Sequence, residues 1–298
     1  MLDLGVSVLL VAAALLLAIL SALYRRLSGV AHQYRHCFGI ASLQGARRHM
    51  EDAYAYDFDL CEDGGQFILL AVFDGHGGPY CSTFCAQQLP PRLRCALRTP
   101  GAAHDPASIK RHLLETIAEL DDEYVALSNG AGCDDGTTAA VVLLHVRNGV
   151  DLYVCNVGDS RTVLVHDGTG IALSDDHKPD RADELRRIEQ AGGYVTYAGT
   201  WRVQGILSVS RSIGDGYLKP MVTAEPEITT RRLVKGDDFL IVACDGIWDT
   251  LPVQTAADIV HQYGSKPNYA AGLLAEMAIG CGSTDNVTCI VLNLQKFT

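Results

Sequence analysis

The sequence predicts an α+β fold, a central antiparallel β-sandwich flanked by helices and preceded by one N-terminal transmembrane helix. Short β-branched apolar runs recur along the chain and follow one another closely, which favours antiparallel strands. Runs with helical spacing lie between or after them, so helices are expected on the outside of packed sheets. An uncharged segment at the N-terminus stands apart from both patterns and predicts the membrane helix.

The N-terminal segment is predicted to span a membrane. Residues 4–23 read LGVSVLLVAAALLLAILSAL without a charge, and a helix of about 20 residues is as long as a bilayer's hydrocarbon core is thick. Arg25 and Arg26 close the segment and no Lys or Arg precedes it, so the chain that follows is expected in the cytoplasm. A cleaved secretory signal and a buried core helix are the alternatives. The missing basic region and the missing polar face count against them.

The rest of the chain is predicted to form one domain. We assign residues 1–26 to the transmembrane anchor, 27–36 to a juxtamembrane linker and 37–298 to the domain, in which no Pro- or Ser-rich break, repeat or low-complexity tract occurs. The strands expected in it are FILLAVF (67–73), TTAAVVLLHV (137–146), DLYVCNV (151–157), RTVLVH (161–166), DFLIVAC (238–244) and NVTCIVLNL (286–294).

Turn and helix signals complete the pattern. The pairs Asn148-Gly149 and Gly158-Asp159 predict hairpins. A run from Arg181 to Ala191 follows Pro179-Asp180 and stops at two glycines, in the order expected of a helix start and stop. Further helices are predicted at residues 108–127, 254–263 and 268–279.

Composition excludes some functions and favours others. The net charge of −11 and the pI of about 5.3 argue against a sequence-independent grip on nucleic acid. The ten cysteines contain no CxxC pair, which argues against zinc, and we interpret them as reduced core residues. Carboxylates gathered in one place, by contrast, bind hard divalent cations.

Acidic residues recur at the ends of the predicted strands. A single acid there is usually a solvated loop residue, but five such positions suggest that the strand ends converge. Converged carboxylates raise one another's pKa unless cations lie between them, and oxygen ligands favour Mg²⁺ or Mn²⁺. Two such ions about 4 Å apart can hold a hydroxide and polarise a phosphoryl oxygen. The acids are Asp74, Asp159, Asp245, Asp285 and the pair Glu51-Asp52.

The stretch FDGHGG contains more chemistry than a turn requires. Asp74 can bridge two ions, Gly75 lets its carbonyl approach a metal, and His76 is a candidate general acid. A hydrogen-bonded structural histidine is the alternative for His76. A guanidinium in GARRHMED suits a phosphoryl dianion, and the spacing does not decide between Arg47 and Arg48.

Nine motifs then occur in order over nearly all of residues 37–298. Together they resemble the metal-dependent serine/threonine protein phosphatases of type 2C, the PPM family, and this resemblance implies a β-sandwich flanked by helices. The motifs are RRHMED (47–52), FDGHGG (73–78), DDGTTA (134–139), VGDSR (157–161), DHKP (176–179), GILSVSRSIGD (205–215), EPEI (225–228), ACDGIWD (243–249) and STDNVT (283–288).

The resemblance implies a centre with at least two Mg²⁺ or Mn²⁺ ions per chain. A water bridging the ions would attack phosphorus in line, without a phosphoenzyme. Arg47 would hold the substrate phosphate and His76 would protonate the departing Ser or Thr oxygen. Asp74 would bridge both ions, Gly75 would give its carbonyl, Asp245 and Asp285 would complete one ion's shell, Glu51 and Asp52 would act through waters, and Asp159 and Asp249 would belong to a weaker third-metal region.

The resemblance also bears on partners and alternatives. It implies an enzyme that dephosphorylates phosphoserine and phosphothreonine proteins. The predicted anchor places this enzyme on a membrane face, we expect it to be a monomer, and the net charge argues against nucleic acid as a partner. A catalytically silent phosphoprotein-binding scaffold and a two-metal nuclease are the alternatives, and net charge opposes the nuclease. The chain departs from many members at Asp134-Asp135, before GTTA. The flap-like residues 176–204, with Trp201, are expected to shape substrate choice.

Overall fold

The computed structural model describes residues 36–61, 66–98 and 105–297 of the chain. Its strands are β1 (Phe38–Leu43), β2 (Ala53–Cys61), β3 (Gln66–Phe73), β4 (Gly75–His76), β5 (Gly136–Thr137), β6 (Ala139–Val146), β7 (Val150–Val157), β8 (Arg161–His166), β9 (Thr169–Ala172), β10 (Val195–Tyr197), β11 (Trp201–Val203), β12 (Ile213–Gly214), β13 (Glu227–Arg232), β14 (Asp237–Ala243) and β15 (Val287–Asn293). Its helices are α1 (Tyr80–Arg98), α2 (Pro106–Ala131), α3 (Ala182–Gln190), α4 (Asp245–Trp248), α5 (Val253–Tyr263) and α6 (Pro267–Gly280).

Two five-stranded antiparallel sheets form the centre of the domain. The first sheet has the order β1-β15-β14-β8-β9 and the second has the order β13-β7-β6-β3-β2. Strands β3 and β6 of the second sheet contact β14, β15 and β8 of the first, so the two sheets pack face to face. The predicted α+β class, with sheet on sheet and helices outside, is confirmed.

Strand β3 shows why the sequence lacks the alternation of a half-buried strand. Phe67 and Leu69 belong to a buried cluster with residues of α1 and α2, whereas Ile68 and Leu70 are equally buried but point to the opposite face, as alternation along a strand requires. Both faces are covered, so the whole run is apolar. Helices α5 and α6 cover the outer face of the first sheet in the same way.

Helix α1 is the element that periodicity did not delimit. Pro90 and Pro91 stand in its middle and read as helix breakers, because proline lacks the N–H that an interior position donates. The helix nevertheless buries an apolar stripe at every fourth position, and packing of this stripe against the second sheet outweighs the local propensity. The stripe consists of Cys81, Cys85, Leu89, Leu93 and Leu97.

One predicted hairpin is right and the other is wrong. Strands β6 and β7 pair around Asn148 and Gly149, which both have positive φ. The prediction of a hairpin at Gly158-Asp159 is wrong, because β7 and β8 belong to different sheets and the chain crosses between the sheets there. Gly158 has φ +92°, and a Cβ on it would lie 2.6 Å from the Thr138 methyl carbon, so only glycine fits this crossing.

The predicted membrane segment, residues 4–23, lies outside the described residues, as does nearly all of the predicted linker, 27–36. Among the residues that are described, no helix combines the length and the apolar character needed to cross a bilayer. The described residues from Cys37 onward form one compact unit.

Candidate active site

The register of the strands brings the predicted acids to one end of the sandwich. Ala53 at the start of β2 pairs with Phe73 at the end of β3, so the next residues, Asp52 and Asp74, meet at the same end of the second sheet. In the first sheet, β14 ends and β15 begins at that same end of the sandwich. A cleft of about 360 Å³ opens there, and seven of the predicted residues line it: Arg47, Asp74, Gly75, His76, Asp159, Asp245 and Asp285.

Three predicted residues lie beside the cleft rather than on its walls. Glu51 lines an adjoining recess with Arg48. The carboxylate of Asp52 is buried next to that of Asp74. Asp249 caps α4, one helical turn after Asp245, and donates its backbone N–H to the carbonyl of that residue at 2.8 Å.

Asp52 shows that these residues fit a divalent cation. Both of its carboxylate oxygens are buried and lack a hydrogen-bond partner of normal geometry. One of them lies in a cluster with an oxygen of Asp74 and the sulfur of Cys244, with all three atoms within 4.8 Å of one another. Burial raises the pKa of Asp52 to about 6, although the nearby side chains of Thr288 and Cys244 lower this pKa in part. A buried carboxylate without a donor is costly, and a bound cation removes that cost.

The two central aspartates repel each other's ionised forms. Burial, and then the charges of Asp245 and Asp52, raise the pKa of Asp74 well above its usual range. Burial, and then the charge of Asp159, raise the pKa of Asp245 to about 8. Oxygen donors predominate in this cluster, as Mg²⁺ and Mn²⁺ prefer.

Metal removal is therefore expected to make stability depend strongly on pH. Without a cation, Asp245 binds its proton more tightly in the folded state, with a pKa of about 8, than at its ordinary 3.8 in the unfolded state. The folded state then holds more protons between about pH 4 and 8, so the free energy of unfolding falls as pH rises through this window. Cation binding favours the ionised carboxylates and reverses this trend.

The measurement is the melting temperature from pH 5 to 8, with a chelator and with Mn²⁺. We expect the gain from Mn²⁺ to grow with pH and to shrink in Asp245→Asn. A gain that is the same at pH 5 and pH 8 would contradict the assignment.

The predicted third-metal region already contains a cation of the chain. The Lys178 ammonium donates a hydrogen bond to Asp159, which is almost fully buried. Burial lowers the pKa of Lys178, but the charge of Asp159 and this hydrogen bond outweigh it and leave a net increase. The charges of Asp245 and Asp249 act on the same ammonium. Lys178 lies in the motif DHKP, but sequence reasoning did not give it a role.

The structure separates the two candidate arginines. The Arg47 guanidinium lines the cleft, is 56% exposed and lies 2.7 Å from an oxygen of Asp285. Arg48 does not line the cleft. Arg47 is therefore the guanidinium that can reach a phosphate bound beside the acidic cluster.

A residue that sequence reasoning missed holds the loop between β1 and β2, residues 44–52, in place. The buried Asn286 accepts a hydrogen bond from the Glu51 backbone N–H at 2.8 Å. Its amide donates to the carbonyls of Gln44 and His49 at 2.7 and 3.0 Å. Asn286 thus ties the loop to the start of β15. The signal was present in the motif STDNVT, where the asparagine follows a predicted metal ligand.

His76 has a buried carboxylate partner that sequence reasoning also missed. Its Nε2 lies 2.7 Å from Oδ2 of Asp215, and the Ser212 hydroxyl donates to the same oxygen. Burial lowers the pKa of His76, but the hydrogen bond and charge of Asp215 outweigh it, so the net pKa is raised. A Cβ on Gly136 would lie 2.0 Å from that oxygen. The glycine in the motif DDGTTA is therefore required for Asp215 to contact His76.

The outer wall of the cleft comes from the flap-like segment 176–204 and from the residues that directly follow it. Arg202 and residues 206–209 line it, and a small buried cluster that includes Ile188 and Val203 supports the segment from below. Trp201 does not line the cleft, and its ring contacts Tyr197 edge-on. The residue after the tryptophan, rather than the tryptophan itself, reaches the site.

Comparisons with known proteins agree on one family. The family model described as Protein phosphatase 2C matches residues 37–287. The chain is 41% identical over 254 residues to Probable protein phosphatase 2C 7 of Oryza sativa subsp. japonica, covering 85% of this chain and 64% of that protein. It is 41% identical over 257 residues to Probable protein phosphatase 2C 52 of the same organism, covering 86% and 50%. The chain thus spans half to two thirds of the length of these relatives.

A solved structure shows the same fold. The crystal structure of serine-threonine phosphatase 2C from Toxoplasma gondii superposes with a TM-score of 0.75 at 23% identity, covering 86% of this chain and 94% of that one.

Proposed function

The chain belongs to the protein phosphatase 2C family, and from this premise we propose that it hydrolyses phosphoserine and phosphothreonine on proteins with the help of Mg²⁺ or Mn²⁺. The observation that carries the proposal is the shared cleft. Buried carboxylates that repel one another stand beside an exposed guanidinium and a histidine with a raised pKa. A phosphate dianion fits between these groups once cations neutralise the acids.

Two side chains would act directly on the substrate. Arg47 would bind phosphate oxygens through its planar fork of N–H groups, which matches a phosphoryl group. His76, whose pKa is raised by Asp215, would hold a proton for the departing Ser or Thr oxygen. Divalent cations would supply Lewis-acid stabilisation of the charge that develops on the phosphoryl oxygens. Asp74, Gly75, Asp245 and Asp285 would hold them, with Glu51 and Asp52 contributing through waters and Asp159 and Asp249 at a third site.

The test is hydrolysis of a phosphothreonine peptide by the full-length protein with Mn²⁺ and with a chelator. We expect phosphate release that depends on the cation. Binding of the peptide without release would support the silent scaffold instead. Cleavage of single-stranded DNA or RNA in a parallel assay would support the nuclease.

Asp215→Asn is expected to shift the pH dependence of this reaction. Asp215 raises the pKa of His76, so its removal lowers that pKa. A general acid works only while protonated, and activity on phosphoserine therefore falls as pH rises through its pKa. The falling limb should therefore move toward lower pH in the variant. An unshifted limb with a uniformly lower rate would mean that Asp215 has a structural role only.

We also propose that residues 4–23 hold the enzyme on a membrane, with the catalytic domain in the cytoplasm and monomeric. The support is the 20-residue uncharged run closed by Arg25 and Arg26. Full-length protein should sediment with membranes and resist extraction by high salt, whereas a chain beginning at Ala31 should not. Light scattering in detergent would report the oligomeric state. Release of the full-length protein by salt alone would overturn the anchor.

A further inference from the structure

An apolar groove opens on the surface beside the catalytic cleft. Tyr80 at the start of α1 forms one side, and Tyr124, Leu127 and Ser128 of α2 form the other, with Cys133 at the end. Its volume is about 340 Å³. Tyr80 and Leu127 are 66% and 54% exposed. Large apolar side chains that gather on a surface in this way are typical of a binding site for another apolar group.

The groove and the cleft share two stretches of chain. Gly77 and Asp134 line the cleft, whereas Tyr80 and Cys133, three residues and one residue away, line the groove. The two stretches lie against each other, because a Cβ on Gly77 would be 3.3 Å from the Cα of Asp135. Three residues of extended chain span about 10 Å. Gly77 in the cleft and Tyr80 in the groove are therefore at most about 10 Å apart. A peptide with its phosphorylated residue in the cleft can span this separation and place a side chain about three positions away in the groove.

The passage between the two recesses carries a negative charge. Asp134 is exposed there, and within the described part of the chain no Lys, Arg or His forms an ion pair with it. Asp134 and Tyr217 both line the cleft, so the Asp134 carboxylate would lie close to a peptide that binds there. A basic side chain of the peptide complements it.

We propose that the groove binds an aliphatic or aromatic side chain of the phosphoprotein substrate, about three residues from the phosphorylated one, and that Asp134 pairs with a basic residue between them. The proposal rests on the phosphatase activity proposed above and names the substrate class of that site. Burial of one large apolar side chain in a partly open groove supports a preference of about tenfold in kcat/KM.

The test uses phosphothreonine peptides with Leu or Ala placed three positions before or after the phosphothreonine. Each peptide carries Lys or Ala between that residue and the phosphothreonine. The full-length protein should prefer Leu by about tenfold on one side. Leu127→Ala should remove this preference, and Asp134→Asn should remove the preference for Lys. Leu114→Ala is the matched control. It lies on the same helix and is 39% exposed, but it lines a different recess, and it should keep both preferences.

An aryl phosphate, too small to reach the groove, reports on the cleft alone. If the wild-type protein hydrolyses the aryl phosphate and the peptides but does not distinguish Leu from Ala on either side, the groove proposal is wrong while the phosphatase proposal stands. If Leu127→Ala loses as much activity on the aryl phosphate as on the Leu peptide, the effect belongs to the cleft and the groove proposal is likewise wrong. Absence of Mn²⁺-dependent hydrolysis of any of these substrates would overturn the proposed function itself.

Discussion

Asp74→Asn is expected to abolish turnover and, at the same time, to stabilise the metal-free fold. The side chain is central to the acidic cluster, and its loss removes a ligand for the cations that would stabilise the transition state by several kcal/mol. We expect kcat to fall at least about 10³-fold, because each 1.36 kcal/mol corresponds to about tenfold. The amide also removes one of the repelling carboxylates, so the melting temperature with a chelator should rise above that of the wild type.

The measurements are phosphate release from a phosphopeptide and melting temperatures with a chelator and with Mn²⁺. Asp258→Asn on α5 is the matched control, because Asp258 is exposed and does not line the cleft. It should leave both quantities unchanged. A lower melting temperature for Asp74→Asn in chelator would show that its carboxylate stabilises the fold, which would contradict the interpretation of Asp74 as a cation ligand.

His76→Ala is expected to reduce turnover mainly on substrates with a poor leaving group. An alkoxide departing from phosphoserine needs a proton, and loss of a general acid costs about 10² to 10⁴-fold. An aryl phosphate has a leaving group that is stable without a proton, so its hydrolysis should fall by less than about tenfold. The ratio of the two kcat values in the wild type and the variant isolates proton donation from binding.

His76→Gln provides a second variant, since an amide can keep a hydrogen bond to Asp215 and fill the same space. It should resemble His76→Ala on phosphoserine. His261→Ala, an exposed histidine of α5, is the control for surface effects. Equal losses on the two substrates in both His76 variants would remove the general-acid role and leave the structural alternative.

The sequence predicted most of what depends on local pattern. Continuous apolar runs predicted the central strands, because burial on both faces removes alternation. The acids at strand ends were visible because each is preceded or followed by such a run. Helix α1 was not delimited, since its Pro90-Pro91 pair signals a break that packing overrides.

What the sequence could not supply is information carried by contacts distant in the chain. Asp215 is 139 residues from His76, and nothing in the local pattern links them. Asn286 is likewise 235 residues away from Glu51, which belongs to the loop that Asn286 holds. The mistaken hairpin at Gly158 has the same origin, because a tight turn within a sheet and a crossing between two sheets use the same residue types.

The chain crosses from one sheet to the other at Gly158, and the site lies where the two sheets meet. Asp52 and Asp74 extend from strands of the second sheet, whereas Asp245 and Asp285 adjoin strands of the first. Ions held between them would therefore join two layers that otherwise pack mainly through buried apolar side chains. Shear of one layer against the other would separate the ligand halves before either layer came apart. Affinity for the ions would then depend on how firmly the two sheets pack. A mutation in the interface between the sheets, far from any acid, would lower activity by lowering the affinity for the ions.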